Sequence, residues 1–193
     1  MQAYNMVTTP TISTAIDEED FDASALPLDR YDEVPEGMEE VDGQLVEKTG
    51  MTIKHGAAQL NLASAWKTYA YSSGQGGKAY TEVPCQTDQQ KRRPDVAYTT
   101  AELLEQYGQP NIFPQSYALI GEIASPDDKA EALFSKAQEY LRSGCQEVWL
   151  LFPENAIVII ITATKSLILA ETETASTQTI LQGFSIPVAE LFA

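Results

Sequence analysis

Residues 117–124 constrain this chain most: Tyr117-Ala118-Leu119-Ile120-Gly121-Glu122-Ile123-Ala124 is apolar at both alternations of a strand. A strand apolar on both faces has to be covered on both, which calls for a central strand in a sheet with layers above and below. One charged residue, Glu122, interrupts it. A carboxylate in such a place costs several kcal/mol, on the order of 3 or more, unless it is paired, hydrogen-bonded or bound to a metal. Glu122 is therefore the first candidate for chemistry.

The flanking segments extend the pattern. Ser125 is placed to cap a helix, Pro126 to occupy its first position, Asp127 and Asp128 to meet the positive end of its dipole, and Gly144 to end it. Ala130, Leu133, Phe134, Ala137, Tyr140 and Leu141 form the stripe that should be buried. Lys129 and Lys136 fall beside that stripe, and either can reach Glu122. Glu147-Val148-Trp149-Leu150-Leu151 returns as a strand, which the right-handed crossover rule makes parallel to the Glu122 strand.

Upstream, residues 37–47 read as two short strands around Asp42-Gly43, a favoured two-residue turn. Ile53, Ala57, Leu60, Ala63, Trp66, Tyr69 and Ala70 recur at helical spacing, so residues 52–71 form an amphipathic helix. The lone His55 in its first turn reads as a surface or capping residue, or as a general base without a visible partner. Residues 78–85 alternate as a half-buried strand with Glu82 on the outward face. Arg92-Arg93-Pro94-Asp95-Val96-Ala97-Tyr98 is a further strand, its proline tolerated at the entry. A short helix follows over 99–107, and beyond residue 155 come a hairpin around Thr164-Lys165 and a last strand or two over 184–192.

Charge and cysteine usage narrow the function classes. The 193 residues carry a formal charge of −16, and residues 1–42 hold twelve of the 28 acidic side chains but one of the 12 basic ones. Such a balance argues against a broad basic surface for nucleic acid. It predicts an acidic, flexible arm over residues 1–34, followed by a single domain over 35–193. A polyanionic arm that mimics nucleic acid is the sharper alternative. Cys85 and Cys145 are too few and too far apart for a disulfide framework or a zinc site, and read as packing residues. Apolar runs fall well short of the ~20 residues of a membrane span, so the expectation is a cytoplasmic protein with no membrane partner. Nucleophile-elbow, P-loop and dinucleotide fingerprints are absent.

The order of these parts, with Asp42-Gly43, Leu45-Val46-Glu47, His55, Arg93-Pro94-Asp95-Val96, Glu122-Ile123-Ala124-Ser125-Pro126, Lys136 with Tyr140, Gly144, Glu147-Val148-Trp149 and Pro187-Val188-Ala189-Glu190-Leu191-Phe192, resembles the PD-(D/E)XK nuclease superfamily. More narrowly it resembles the bacterial Uma-type family of restriction-endonuclease-like proteins, from about residue 35 to the C-terminus. The resemblance implies an α/β (α+β) fold with a restriction-endonuclease-like core, a mixed central sheet flanked by helices. It also implies a Mg²⁺- or Mn²⁺-dependent endonuclease acting on DNA, with Asp95 and Glu122 as metal ligands. Two residues after the glutamate the superfamily carries a lysine, where this chain has Ala124. Uma-type relatives also lack it, and Lys136 matches their pattern as the charge stabiliser. Gln44 and Phe152 stand where the family tends to carry acids. Glu47 and Glu82 are candidates for an additional carboxylate or plain solvent-facing residues, and Arg92 and Arg93 for phosphate contact or an ordinary basic turn. A homodimer is compatible with this family. Ala124 and the net charge keep open the alternative of an inactive binding or dimerisation module.

Overall fold

The computed structural model describes residues 34–193; the acidic arm, except its last residue, lies outside the described residues. The chain opens with a hairpin, β1 (Met38–Val41) and β2 (Gln44–Glu47), antiparallel as expected. Asp42 and Gly43 both adopt positive φ, 53° and 76°, which the tight turn requires and these residue types supply. Helix α1 (Ile53–Ser72) follows, its N-terminus capped by the Thr52 hydroxyl accepting from the His55 N–H.

A six-stranded sheet forms the centre. It contains β3 (Lys78–Thr81), β6 (Val96–Thr99), β7 (Leu119–Ile123), β8 (Glu147–Phe152), β9 (Ile157–Thr162) and β10 (Ser166–Ala170), in the order β10-β9-β8-β7-β6-β3. The β7–β8 pair is parallel, as the crossover through α3 (Ala130–Arg142) demands, and the other pairs are antiparallel. The short β4 (Cys85–Gln86) and β5 (Lys91–Arg92) join the first hairpin in a second sheet ordered β2-β1-β5-β4. Helix α2 (Ala101–Tyr107) caps one end, and the pair β11 (Thr174–Ser176) and β12 (Ser185–Pro187) leads into the four-residue α4 (Val188–Leu191). The fold is mixed α+β with a mixed central sheet, as expected.

All five residues of β7 are buried, and the two faces differ. Leu119 and Ile123 join Leu62 and Trp66 of α1 in one core, whereas Ile120 packs with Leu133, Ala137 and Tyr140 of α3 in the other. Trp66 meets Trp149 edge to face at 5.9 Å, an arrangement that adds about 1 kcal/mol to the area both rings bury. Gly121 sets how near α1 comes: a Cβ there would stand 2.5 Å from Leu62 Cδ2. Cys85 and Cys145 are buried free thiols, consistent with packing roles.

Five local expectations are corrected. The buried stripe of α1 runs through His55, Ala58, Leu62, Trp66 and Ala70, leaving Ile53 93% and Leu60 66% exposed. With alanine on both faces, periodicity could not choose between two stripes; contact with β7 did. The strand over 78–85 breaks at Glu82, whose φ is 53°. The strand over 92–98 splits at Arg93-Pro94-Asp95, sending β5 to the small sheet and β6 to the central one. Helix α3 starts at Ala130: the Asp128 carboxylate accepts from the Ser125 N–H at 2.7 Å, closing a separate turn, and Lys129 stays extended. The last segment ends as helix α4 where a strand was expected.

Candidate active site

Strand register brings the two predicted carboxylates together. Val96 pairs with Gly121 in the antiparallel β6–β7 ladder, so one step further along the chain sets Asp95 level with Glu122. Asp95 Oδ2 accepts the Ile123 N–H at 2.7 Å, which ties it to β7. Asp95 is 2% and Glu122 3% exposed, and both line a cleft of about 680 Å³ walled by the β1–β2 hairpin and α3.

Each carboxylate has its own cations. Lys48, just beyond β2, places Nζ 2.7 Å from Asp95 Oδ1, 2.8 Å from Glu82 Oε2 and 2.9 Å from the Arg93 carbonyl. His55 Nε2 lies 3.3 Å from Asp95 Oδ2. On the other side, Lys136 donates to Glu122 Oε2 at 3.1 Å and pairs with Glu39 Oε1 at 2.8 Å, while the Tyr140 hydroxyl donates to Glu122 Oε1 at 2.7 Å. Lys136, of the two lysines beside the α3 stripe, is thus the one that reaches Glu122.

The two acids respond oppositely to their surroundings. Burial works to raise Asp95, yet the His55 hydrogen bond and the Lys48 and Lys136 charges outweigh it and hold the carboxyl well below the usual range. For Glu122 burial wins; with Asp95 beside it adding repulsion, it is pushed up to about 7 despite Lys136. Lys48 and Lys136 lose to burial but gain more from the surrounding carboxylates, so both are shifted upward and stay charged.

A wider ion network holds this arrangement. Arg92 grips Glu139 through Nε and Nη2, the latter at 2.6 Å, and reaches Glu39 at 3.3 Å. Glu39 also accepts the Arg93 N–H at 2.9 Å. Arg93 is buried and donates to the carbonyls of Val34, Pro35, Met38 and Glu82, so its guanidinium anchors the hairpin. Arg92 lines the cleft, committed to two carboxylates. Glu82 is held by Lys48 and by Gln59, whose Nε2 donates to Glu82 Oε1 at 2.8 Å and to the Asp95 carbonyl at 2.9 Å. Glu47 is exposed at the cleft wall.

No sequence signal singled out Lys48, Glu39, Gln59 or Glu139; His55, expected as a surface or capping residue or as a general base without a visible partner, is 4% exposed, donates its N–H to the Thr52 cap and sets Nε2 against Asp95. Glu39 lies buried on one face of the expected hairpin. Nothing local said that this face closes over α3.

Asp95 and Glu122 are two side chains on the cleft that could hold a divalent cation. Among the described residues no three His, Cys, Asp or Glu side chains form a ready-made cage. Mg²⁺ needs none, since it is commonly held by one or two carboxylates plus water and phosphate oxygens. Asp95 accepts from Lys48, His55 and the Ile123 N–H, and Glu122 from Lys136 and Tyr140. With about four acceptor positions per carboxylate, each retains capacity toward the cleft. The five acids Glu39, Glu82, Asp95, Glu122 and Glu139 share the three cations Lys48, Arg92 and Lys136, so carboxylates outnumber the ammonium and guanidinium groups that pair with them.

Comparison with known families decides the relationship. The Uma2 family model, described as "Putative restriction endonuclease", matches residues 22–189. The chain belongs to the Uma2 family. The match covers the hairpin, both carboxylates and α3 together, and reaches upstream of residue 35, where the resemblance was read to begin. Among solved structures, a "putative nuclease belonging to DUF820 from Anabaena variabilis ATCC 29413" is similar at a TM-score of 0.75 and 20% identity, over 86% of this chain and 97% of that one, which establishes a shared fold. A DrdV–DNA complex is similar at a TM-score of 0.37 and 14% identity, over 55% of this chain and 9% of that one, a likeness too slight to argue from. No curated protein matches the chain.

Proposed function

We propose that this Uma2 protein is a divalent-metal-dependent endonuclease that hydrolyses DNA phosphodiesters, with Asp95 and Glu122 as the ligands of Mg²⁺ or Mn²⁺ and Lys136 as charge stabiliser. The observation that carries the reading is the pairing of the two buried carboxylates at the β6–β7 register, at the floor of a cleft of about 680 Å³. When bound, the ion supplies positive charge that polarises the phosphate and acidifies water. The chain's own groups do the rest. The Ile123 N–H and His55 fix the Asp95 rotamer, Tyr140 and Lys136 fix that of Glu122, and Lys136 keeps a fixed positive charge where the phosphate's negative charge grows.

The reaction consumes one water. Its oxygen bonds to phosphorus, the bond from phosphorus to one ester oxygen breaks, one proton ends on the departing oxygen and the other is released to solvent. Glu47, exposed on the cleft wall, is in place to meet solvent or a further ion. Pairing of two copies would set two clefts on two strands. No helix among the described residues is long and apolar enough to cross a membrane; the nuclease reading itself sets the action on DNA in the cytoplasm.

The test is nicking of supercoiled plasmid by the purified full chain with Mg²⁺ or Mn²⁺. Asp95→Ala and Glu122→Ala should each lower the rate by on the order of 1000-fold, as loss of a ligand to a catalytic ion does. A second reading, an inactive binding or dimerisation module, is favoured by Ala124 and by the pairing of Lys48, Arg92 and Lys136 with protein carboxylates. Wild-type cleavage that depends on Glu122 eliminates it; no turnover with either metal establishes it.

A further inference from the structure

The Glu82 backbone is the least comfortable part of the site. A φ of 53° is uncommon for a residue with a long side chain, and such conformations cluster where surrounding structure has a use for them. Three contacts accompany it: Arg93 Nη1 donates to the Glu82 carbonyl at 2.6 Å, Gln59 Nε2 to Oε1 at 2.8 Å and Lys48 Nζ to Oε2 at 2.8 Å. The result is a break in the strand that turns the Glu82 carboxylate toward Lys48 and Asp95.

Lys48 differs from the other cleft cations in what holds it. Lys136 lies between Glu39 and Glu122, whose side chains are 9% and 3% exposed, and Arg92 is clamped by the equally buried Glu139. Pulling either away would strand a desolvated charge. Lys48 shares its ammonium between the buried Asp95 and Glu82, whose side chain is 33% exposed. Its pair with Glu82 is of the half-solvated kind that contributes little and breaks cheaply. Three donors on a flexible stem can keep Asp95 Oδ1 and the Arg93 carbonyl while the third passes from Glu82 to another anion.

We propose that Lys48 is a second catalytic cation, on the Asp95 side of the site, which transfers one hydrogen bond from Glu82 to an oxygen of the scissile phosphate, and that Glu82 and Gln59 are positioning residues that hold it ready. Glu82 is then a lysine holder and not a third metal carboxylate. This rests on the metal-dependent nuclease reading of Asp95 and Glu122. It supplies, from the loop after β2, charge that the superfamily places where this chain has Ala124.

The experiment combines plasmid nicking with Mn²⁺ titration by calorimetry on the full chain. Lys48→Met should lower kcat by on the order of 100-fold, the usual loss for one transition-state donor, with KM changed by less than about threefold. Its Mn²⁺ affinity should equal or exceed wild type, since a positive charge beside Asp95 is gone. Lys48→Arg should restore part of kcat. Glu82→Gln should slow kcat about tenfold and leave Mn²⁺ affinity within about threefold, because a holder shapes catalysis without touching the ion. Nicking by Lys48→Met at the wild-type rate overturns the inference while leaving the nuclease reading intact. Weakening of Mn²⁺ binding by more than about threefold in Glu82→Gln also overturns it, because a residue that only holds Lys48 leaves the ion's affinity unchanged. A wild type that cuts with neither metal removes the nuclease reading and this inference with it. Should Lys48→Met fail to fold, Glu82→Gln decides: slower nicking with Mn²⁺ binding kept supports the inference, and an unchanged rate overturns it.

Discussion

Asp95 and Glu122 are the same functional group on neighbouring strands, yet the two halves of the cleft treat them differently. The Asp95 half is built from the loop after β2, α1 and the Glu82 break, and gives its carboxylate three donors of three kinds: an ammonium, an imidazole and a backbone N–H. The Glu122 half is built from α3 and the β1 strand and is drier; its carboxylate shares one ammonium with Glu39 and takes a tyrosine hydroxyl. Asp95 is consequently held as a carboxylate well below its usual range, while Glu122 sits near the middle of the physiological range. A site that needs one permanent anion and one adaptable one can make them by choosing surroundings and not by changing residue type.

The sharpest way to break this contrast is to remove each half's lysine and measure stability in urea without metal. Lys136→Met should cost about 3 kcal/mol, because it leaves Glu39 and Glu122 buried around no ammonium. Lys48→Met should cost about 1 kcal/mol, since Asp95 keeps His55 and the Ile123 N–H and Glu82 turns to water. Equal costs would show that the halves are equally dry.

Gly121→Ala tests what the halves share. Its new Cβ would meet Leu62 on α1, so unfolding should become easier by about 2 kcal/mol. Because α1 carries His55 and Gln59, its displacement should disturb the Asp95 half first, read as loss of the His55 imidazole NMR shift that marks its bond to Asp95.

The pH dependence has a defined sign. Glu122 binds its proton more tightly folded than its ordinary 4.5 allows, so the folded form takes up the extra proton and is favoured below that value. That benefit fades as pH rises through about 7. Asp95 runs the other way: its contribution is complete above the ordinary carboxylate range and is lost as pH falls below that range toward its depressed folded value. In EDTA, Glu122→Gln should therefore gain stability relative to wild type as pH rises from about 5 to about 8, whereas Asp95→Asn should hold a constant difference over that window and lose relative stability only over a rise on the acid side of about 4. Parallel pH curves for the two variants would mean that the carboxylates are not differently held.

Much of the fold was legible because its signals are local. Asp42-Gly43 names its turn, the two-faced apolar run names a central strand, and a strand, helix and strand in succession leave one handedness for the parallel pair. Where two local patterns competed, the reading failed. Helix α1 offers one stripe through Ile53 and Leu60 and another through His55 and Leu62; Gly121 and the tryptophan pair chose the second. Glu82 looked like an outward strand position because no sequence signal marks its positive φ or its contacts from Arg93, Gln59 and Lys48.

The site divides in the same way. By itself the sequence determined that Glu122 must be compensated, since a carboxylate in a strand covered on both faces has no water to turn to; that Asp95 stands beside it was implied by the family resemblance and is seen in the strand register. Which groups compensate them was decided by the tertiary structure alone: the hairpin folded over α3 to bring Glu39 to Lys136, and the chain beyond β2 brought Lys48 to Asp95. The physical reason is range. Hydrophobic alternation and turn chemistry act over a few residues, whereas an ion pair depends on where two distant segments are pressed together once the cores on both faces of the sheet have closed.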